Sequence, residues 1–414
     1  MSLVDSAVVG HYSAAGLAGL GIAATLLASI VFFGVGIILG LDSLIPQALG
    51  RGNALEARAL YRAGIRLALQ IAAPLTIVGA LSPELFSIVG IDTEVAREAR
   101  RYLYGRLPSI LPYLLFVASS SYLQAKGHAR AIVYAVLIGN LINLAANLVF
   151  VFGVPTLGIP ALGVLGAAIA TSVVSVAMAV FLGVVVYRDK CPGAQAATHE
   201  NIRKIRKIGL PVGLQLLAEI GVFAIIGMLA GRLGGIASAS HQVALILASL
   251  TFSVAMGMGA ATSVRVGTAI GAGSHVRARR AGIVGVFWSA TIMVLAGILF
   301  LVIPGQLAGI FSDDSEVISK TVPLLAIAAI FQLADATQAA LSGALRGAGD
   351  TRATLIGNLV GHYGLGLWVA LGLSFGLSMG VVGLWWGLSA GLTLTAIGLA
   401  ARFWWLTSKP IAQR

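Results

Sequence analysis

The sequence predicts an all-α, polytopic membrane protein built from two six-helix bundles that are related by a pseudo-twofold axis. The first observation is composition: 58% of the 414 residues are hydrophobic, only 10% are charged, and the mean hydropathy is +0.96. The second is the content of 52 glycines, because small residues let helices pack closely in lipid. The third is a repeat between the two halves of the chain. Soluble domains carry about 25% charged residues, so a water-soluble enzyme is excluded.

The net charge of +12 is spread over loops rather than over one face. Two long stretches, 131–187 and 353–401, contain no charged residue. A nucleic-acid-binding surface needs a basic patch or stripe, so no nucleic acid is expected as a partner, and the lipid bilayer is the expected surrounding. The single cysteine, Cys191, excludes an internal disulfide.

Twelve helical segments follow from the apolar runs, because a transmembrane helix needs about 20 mainly apolar residues. Glycine- and proline-rich stretches such as 153–163 supply the turns. The first segment offers about 9 residues, or roughly 14 Å, against a hydrocarbon core of about 30 Å. We therefore expect a truncated first helix that lacks about 15 or more residues. The predicted segments are 1–10, 17–49, 58–81, 93–125, 129–152, 161–187, 203–231, 237–270, 277–302, 316–346, 352–375 and 380–407.

Most of the 27 Lys and Arg residues fall in one set of alternate loops. Positive residues are enriched in cytoplasmic loops, so these loops and the C-terminus are predicted to be cytoplasmic. Arg106, within the predicted segment 93–125, is counted among the basic residues of the opposite face. The polar stretch 188–202 is the expected cytoplasmic linker between an N-terminal lobe, 1–187, and a C-terminal lobe, 203–407. Residues 408–414 are the expected cytoplasmic tail.

The two halves share landmarks at an almost constant spacing. Gly50 recurs as Gly271, 221 residues later, and Gly127 recurs as Gly349, 222 residues later. Each half has six predicted spans and begins on the same side of the membrane, so the halves are predicted to be parallel repeats. Such repeats are typical of secondary transporters, whose substrate path lies at the repeat interface.

Four acidic residues lie inside apolar segments: Asp5, Asp42, Glu219 and Asp335. A carboxylate at membrane depth costs about 2.5 kcal/mol or more, so it is by default a functional-site hypothesis. Glu219 and Asp335 are predicted to hold and exchange a proton or a sodium ion. Asp42 lies one turn before Pro46, where it either bonds to the backbone that the proline leaves free or contributes to a substrate cavity.

Polar and aromatic residues in other spans add to these candidates. Asn143 and Asn147 are four residues apart and share one helix face, where they either coordinate an ion or bond to a neighbouring helix. Aromatic rings can bind organic cations, although aromatic residues in spans also serve packing. The weaker candidates for a substrate cavity, besides Asp42, are Phe223, Gln242, Phe331, Gln332, Gln338 and Tyr363.

Taken together, these residues resemble the multidrug and toxic compound extrusion (MATE) family, in its bacterial cation-coupled branch. The resemblance is carried by QALGRGN at 47–53, by the SHQVAL motif that ends at Leu245, and by QLADATQAALSGALRGAGDTR at 332–352. It implies secondary active efflux of hydrophobic organic cations and drugs in exchange for sodium ions or protons. The expected transporter is a monomer in the bacterial inner membrane that works by rocking of its two lobes.

The resemblance also assigns roles to single residues. Glu219 and Asp335 would be the cation-site carboxylates of the C-terminal lobe and would ligate sodium if sodium is the coupling ion. Asp5, with Asn143 and Asn147, would mark the site of the N-terminal lobe. Sodium-coupled relatives often carry Tyr where this chain has Phe331, so the coupling ion stays open. Some relatives carry Asp where this chain has Asn147, which places more weight on Asp5.

Two other functions stay open. A flippase for a lipid-linked oligosaccharide, from the same superfamily, would share the two-lobed architecture but should present a cationic cavity to a pyrophosphate. A membrane-embedded enzyme is the other alternative, although no paired metal motif or nucleophile–base arrangement is present in the sequence. The sequence contains no P-loop, so transport driven by the chain's own ATP hydrolysis is not expected. No cofactor is expected apart from the coupling ion.

Overall fold

The computed structural model describes residues 2–84, 86, 91–189 and 196–408, which are almost entirely helical. Ten helices among these residues are long and apolar enough to cross a membrane, which confirms the prediction of an all-α, polytopic membrane protein. In chain order the helices are α1 (Ser2–Gly10), α2 (Ala14–Ile38), α3 (Leu41–Gly50), α4 (Ala54–Leu81), α5 (Thr93–Arg106), α6 (Ile110–Ala125), α7 (Ala129–Phe152), α8 (Val164–Arg188), α9 (His199–Arg232), α10 (Gly235–Gly271), α11 (His275–Val302), α12 (Pro304–Gly309), α13 (Ser315–Gly347), α14 (Thr351–Gly376) and α15 (Val381–Ser408).

Two of the twelve predicted segments are not among the ten long helices. The first, α1, has 9 residues. The segment predicted over 93–125 is interrupted by a 3₁₀ turn at Leu107–Ser109, which separates α5 from α6. Pro108 lies in this turn, and a proline has no backbone N–H for an α-helical hydrogen bond. The break therefore follows from a residue that the prediction of a continuous helix did not take into account.

Close contacts divide the chain into two compact units. The first comprises residues 1–41 and 54–209, and the second comprises 42–53 and 210–414. This division falls inside α9 and groups α3 with the C-terminal half of the chain. The lobes predicted at 1–187 and 203–407 stay a prediction, and the linker expected at 188–202 lies partly outside the described residues.

In the first unit, α2 and the beginning of α9 approach each other at two glycines. A Cβ atom on Gly40 would lie 2.5 Å from the Ile205 carbonyl oxygen, and one on Gly209 would overlap the Ile37 carbonyl group. Only glycine allows this approach, because it has no side chain. The short helix α1 packs against α2, α7 and α8, and its Asp5 is completely buried.

In the second unit, α3 and α10 meet at the two glycines that the sequence repeat relates. A Cβ atom on Gly50 would overlap the Thr268 carbonyl oxygen, and one on Gly271 would overlap the Gln47 carbonyl oxygen. The Gln47 Nε2 atom also donates a 2.9 Å hydrogen bond to the Gly347 carbonyl oxygen. These contacts fix α3 against α10 and α13.

The central helix of the second unit is α13, which contacts α10, α11, α12 and α15. Its Phe331 ring packs edge-on against Trp385, with 6.0 Å between the ring centroids. Trp385 is 1% exposed, and the His241 ring packs against it at the same distance. This apolar packing fixes the helix that carries Asp335.

Helix α14 departs from α-helical geometry over two stretches. The backbone is a π-helix at Leu359–Gly366 and again at Gly372–Gly376. The first stretch begins directly after Asn358 and contains His362 and Tyr363. A π-turn inserts a residue into the helical repeat and is frequent at functional sites, and this one lies beside a buried cluster of polar side chains.

Candidate cation-binding sites

In the first unit, the carboxylate of Asp5 accepts hydrogen bonds from three other helices. The Tyr102 hydroxyl lies 3.0 Å from Oδ2, and Asn147 Nδ2 lies 2.9 Å from Oδ1. The Thr171 hydroxyl lies 2.9 Å from Oδ1 and 2.8 Å from Oδ2. Asp5, Asn147 and Thr171 are each at most 2% exposed. Burying a carboxylate is unfavourable unless it is hydrogen-bonded, and these donors satisfy that need.

The two predicted asparagines of α7 belong to this site. Asn143 donates a 2.8 Å hydrogen bond to the Thr171 hydroxyl, which in turn donates to Asp5. The side-chain oxygens of Asn143 and Asn147 are buried and have no hydrogen-bond partner within the described part of the chain. Hard cations such as calcium and magnesium prefer oxygen ligands, including amide oxygens, and sodium is also a hard cation. The site thus combines one carboxylate with two unpartnered oxygens.

In the second unit, the Oε1 atom of Glu219 accepts hydrogen bonds from three side-chain amides. Gln338 Nε2 lies at 2.8 Å, Asn358 Nδ2 at 2.5 Å and Gln215 Nε2 at 3.4 Å. The three donors come from α13, α14 and α9 itself. The Tyr363 hydroxyl donates a 2.8 Å hydrogen bond to the Ala218 carbonyl oxygen, next to this carboxylate.

Asp335 is the second carboxylate of this site. It is 4% exposed, and its Oδ2 atom has no hydrogen-bond partner among the residues that the structure describes. Asp335 is three residues before Gln338, so the two share one face of α13, and Gln338 donates to Glu219. The Asn358 Oδ1 atom is also buried without a described partner. Two nearby carboxylates disfavour each other's charged form, and an opposite charge between them favours it. A proton or a small cation therefore fits this site.

Asp42 forms a salt bridge with the side chain of Arg346. Its Oδ2 atom lies 3.5 Å from Arg346 Nη1, and the two side chains are 3% and 12% exposed. The Ser263 hydroxyl donates a 3.2 Å hydrogen bond to the Asp42 carbonyl oxygen. The sequence does not predict this salt bridge, because the two residues are 304 positions apart. The assignment of Asp42 to a substrate cavity stays a prediction.

The weaker candidates fall into two groups. Gln338 and Tyr363 lie at the Glu219 site. Gln332 donates a hydrogen bond to the Thr251 hydroxyl, and Phe331 packs against Trp385. Phe223 packs against the apolar core and Gln242 is exposed. Their roles in binding a substrate stay predictions.

Sequence reasoning missed four residues that complete the two sites. Gln215 lies four residues before Glu219, a spacing that places both on one helix face, and Asn358 interrupts an apolar stretch. Both were detectable. Thr171 has no distinguishing neighbour in its apolar helix, and Tyr102 lies 97 residues from Asp5, so only the fold reveals them.

Arg106 lies in a helix, within the range 93–125 that the apolar pattern predicts to be helical. It is the last residue of α5, directly before the 3₁₀ turn and α6. Its position on the opposite face of the membrane stays a prediction. Within the described residues, no group of three or more His, Cys, Asp or Glu is arranged to hold a metal ion.

Comparison with known proteins places the chain in a family of multi-pass membrane proteins. The MatE family model matches residues 1–149 and 211–371. The chain therefore belongs to the multidrug and toxic compound extrusion family.

Two curated relatives and two solved structures illustrate the similarity. The multidrug resistance protein NorM of Aliivibrio fischeri is 32% identical, with 99% of this chain and 91% of the relative covered. NorM of Vibrio vulnificus is 30% identical, with 98% and 91% covered. The eukaryotic MATE transporter AtDTX14 has a TM-score of 0.88 at 24% identity, with 97% and 90% covered. A MOP superfamily transporter from Pyrococcus furiosus has a TM-score of 0.89 at 21% identity, with 98% and 92% covered.

Proposed function

We propose that this protein exports hydrophobic organic cations in exchange for an inward-moving cation. The observation that carries the proposal is the site formed by Glu219 and Asp335, in which Gln338 and Asn358 donate to Glu219 and oxygens of Asp335 and Asn358 have no described partner. A carboxylate inside the membrane is energetically unfavourable. Repeated binding and release of a cation is a function that accounts for its presence there. The names of the NorM relatives, which are multidrug resistance proteins, support the same direction.

Coupling requires that the cation and the cargo favour different conformations. A ligand shifts a conformational equilibrium only by its difference in affinity for the two states. A cation bound at Glu219 and Asp335 neutralises their charge and weakens their attraction for a cationic cargo. Release of the cation restores that attraction. Competition for the same negative charge is thus sufficient to link the two movements in an alternating-access cycle.

The coupling ion is a sodium ion or a proton, and the chemistry of the site suits both. Carboxylate and amide oxygens are ligands for a hard cation, whereas a lone buried carboxylate readily takes up a proton. Phe331 provides no hydroxyl ligand. Asp5, with Asn143 and Asn147, forms a second candidate cation site in the first unit.

The remaining features of the proposal rest on the sequence. The excess of Lys and Arg in alternate loops supports a cytoplasmic C-terminus, and the bacterial relatives support an inner-membrane location. We propose a monomer without a cofactor or enzymatic activity. Transport of a pyrophosphate-linked oligosaccharide instead of an organic cation is the alternative outcome of the experiments below.

The direct test is drug resistance in a bacterial strain that lacks its major efflux pumps. We expect that Glu219→Gln and Asp335→Asn each lower resistance to organic cations to the level of the strain without the protein. Membrane fractions should contain the variants in wild-type amounts. Glu316→Gln is the matched control because Glu316 is 57% exposed and pairs with Lys320 at 3.2 Å. Wild-type resistance in both site variants contradicts the proposal.

A further inference from the structure

Arg106 is a basic residue beside a carboxylate site. It ends α5, and the break at Leu107–Ser109 follows it. Its Nε and Nη1 atoms are buried, and neither finds a hydrogen-bond partner in the part of the chain that is described. An arginine side chain carries a positive charge. A buried charge that is not fully paired is costly, so the position of Arg106 needs a compensating interaction.

Tyr102 connects Arg106 to Asp5. The Tyr102 hydroxyl donates a 3.0 Å hydrogen bond to Asp5 Oδ2. Tyr102 and Arg106 are four residues apart on α5 and therefore share one helix face. The helix face that carries the Arg106 side chain thus also carries the hydroxyl that is bonded to the Asp5 carboxylate.

Other ionisable groups on the helices around Asp5 are too distant or too exposed to replace Arg106. Helix α2 carries none, and those of α7 and α8 lie at least 13 residues from the Asp5 contacts along their helices, or about 20 Å. On α5, Arg97 and Arg101 are 59% and 56% exposed and pair with Glu98. The groups considered are Arg97, Glu98, Arg100, Arg101, Tyr102, Tyr104 and Arg106 on α5, Arg130 and Tyr134 on α7, and Tyr187 and Arg188 on α8.

We propose that Arg106 is a positioning residue that acts through the Tyr102 hydroxyl to weaken the hold of Asp5 on its coupling cation. A nearby positive charge stabilises the carboxylate without a bound cation and repels a second positive charge. Asp5 can then release its cation in each cycle. This inference rests on the proposed function, because it assumes that Asp5 binds a cation.

The consequence is a change in cation affinity of known sign. Arg106→Gln removes the charge, so Asp5 should bind a sodium ion or a proton more tightly, by about tenfold for each 1.36 kcal/mol of lost repulsion. Arg106→Lys keeps the positive charge and should therefore shift the affinity by about threefold or less, against about tenfold for Arg106→Gln. Tyr102→Phe removes the connecting hydroxyl and should reduce the effect of Arg106→Gln.

The experiment measures the thermal unfolding temperature of the purified full-length protein. One series varies sodium at constant pH, and the other varies pH at constant low sodium. Binding to the native state raises the unfolding temperature with a midpoint set by affinity. We expect Arg106→Gln to move the midpoint about tenfold lower in sodium, or about one pH unit higher. Arg106→Lys should leave it in place, which separates the charge effect from damage to the fold.

The Asp5→Asn background separates the two hypotheses. If Asp5 is the site on which Arg106 acts, Arg106→Gln causes no midpoint shift in Asp5→Asn. The role of Arg106 is overturned if the single variant Arg106→Gln has the wild-type midpoint. It is also overturned if Arg106→Gln shifts the midpoint equally in the wild-type and the Asp5→Asn proteins. Neither result affects the assignment of Asp5 as a cation site. If the unfolding temperature of Asp5→Asn depends on sodium and pH as that of the wild type does, Asp5 is not a cation site. The proposed role of Arg106 is then also wrong.

Discussion

Asparagine side chains have the same arrangement at both carboxylate sites. Asn147 donates to Asp5 at 2.9 Å, and Asn358 donates to Glu219 at 2.5 Å. In each case the amide oxygen of the same side chain is buried without a described hydrogen-bond partner. One amide therefore stabilises the charged carboxylate through its N–H group and leaves an oxygen for a cation. This arrangement suits a group that alternates between a bound and a free state.

Replacing Asn358 should reveal which cation is coupled. Asn358→Leu removes a hydrogen bond to a charged group, which contributes about 1.5–3 kcal/mol, and it also removes an oxygen ligand. If sodium is the ion, the sodium concentration for half-maximal transport should rise about tenfold or more. If the proton is the ion, Glu219 should hold it more tightly, and the pH dependence should move upward by about one unit. Transport rates measured against sodium and against pH distinguish the two results.

Asn140→Leu is the control for that substitution. Asn140 is another amide within a spanning helix, and its Nδ2 atom donates to the Val136 carbonyl oxygen of its own helix. We expect little change in either dependence. The account of Glu219 is contradicted if Asn358→Leu leaves both dependences as they are in Asn140→Leu.

At the residue scale, the sequence identifies the acids but not all of their partners. Asp5, Glu219 and Asp335 stand out because a carboxylate is rare in an apolar run. Thr171 does not stand out, because hydroxyl side chains are common in such runs and commonly bond to their own helix. A count of charges does not reveal that the Nε and Nη1 atoms of Arg106 are buried.

At the scale of elements, glycines determine which helices can touch. Gly50 on α3 and Gly271 on α10 bring two backbones into contact within the second unit. The sequence predicts the equivalence of these two glycines from the repeat, but not that they lie against each other. The helical bounds follow well from hydropathy, as for α7, whereas the turn at Leu107–Ser109 and the π-helical stretches of α14 depend on local backbone geometry.

Substitution at this crossing should destabilise the second unit. A Val side chain at position 271 has to displace the Gln47 carbonyl group, and overpacking of this kind costs about 1–3 kcal/mol. We expect Gly271→Val to lower the thermal unfolding temperature of the purified protein by several degrees. Gly257→Val, in the same helix, is the control because a Cβ atom there meets no other atom within 4 Å. Equal unfolding temperatures for the two variants contradict the role of the glycine crossing.

At the scale of the whole molecule, the repeat and the charge distribution predict the class of protein, and the family match confirms it. The chain length, the apolar composition and the paired landmarks are sufficient for a two-bundle transporter. They do not determine the coupling ion or the cargo, because both depend on a few oxygen atoms whose positions result from packing. The central claim is that the Glu219 and Asp335 pair exchanges an inward-moving cation for an outward-moving organic cation.

The measurement that tests this claim most directly uses purified protein in proteoliposomes. A fluorescent lipophilic cation reports transport while a sodium gradient or a proton gradient is imposed separately. We predict that at least one gradient accelerates transport by the wild type, and that neither accelerates it in Glu219→Gln or Asp335→Asn. Gradient-dependent transport at the wild-type rate in both variants, or a wild type that responds to neither gradient, would contradict the account.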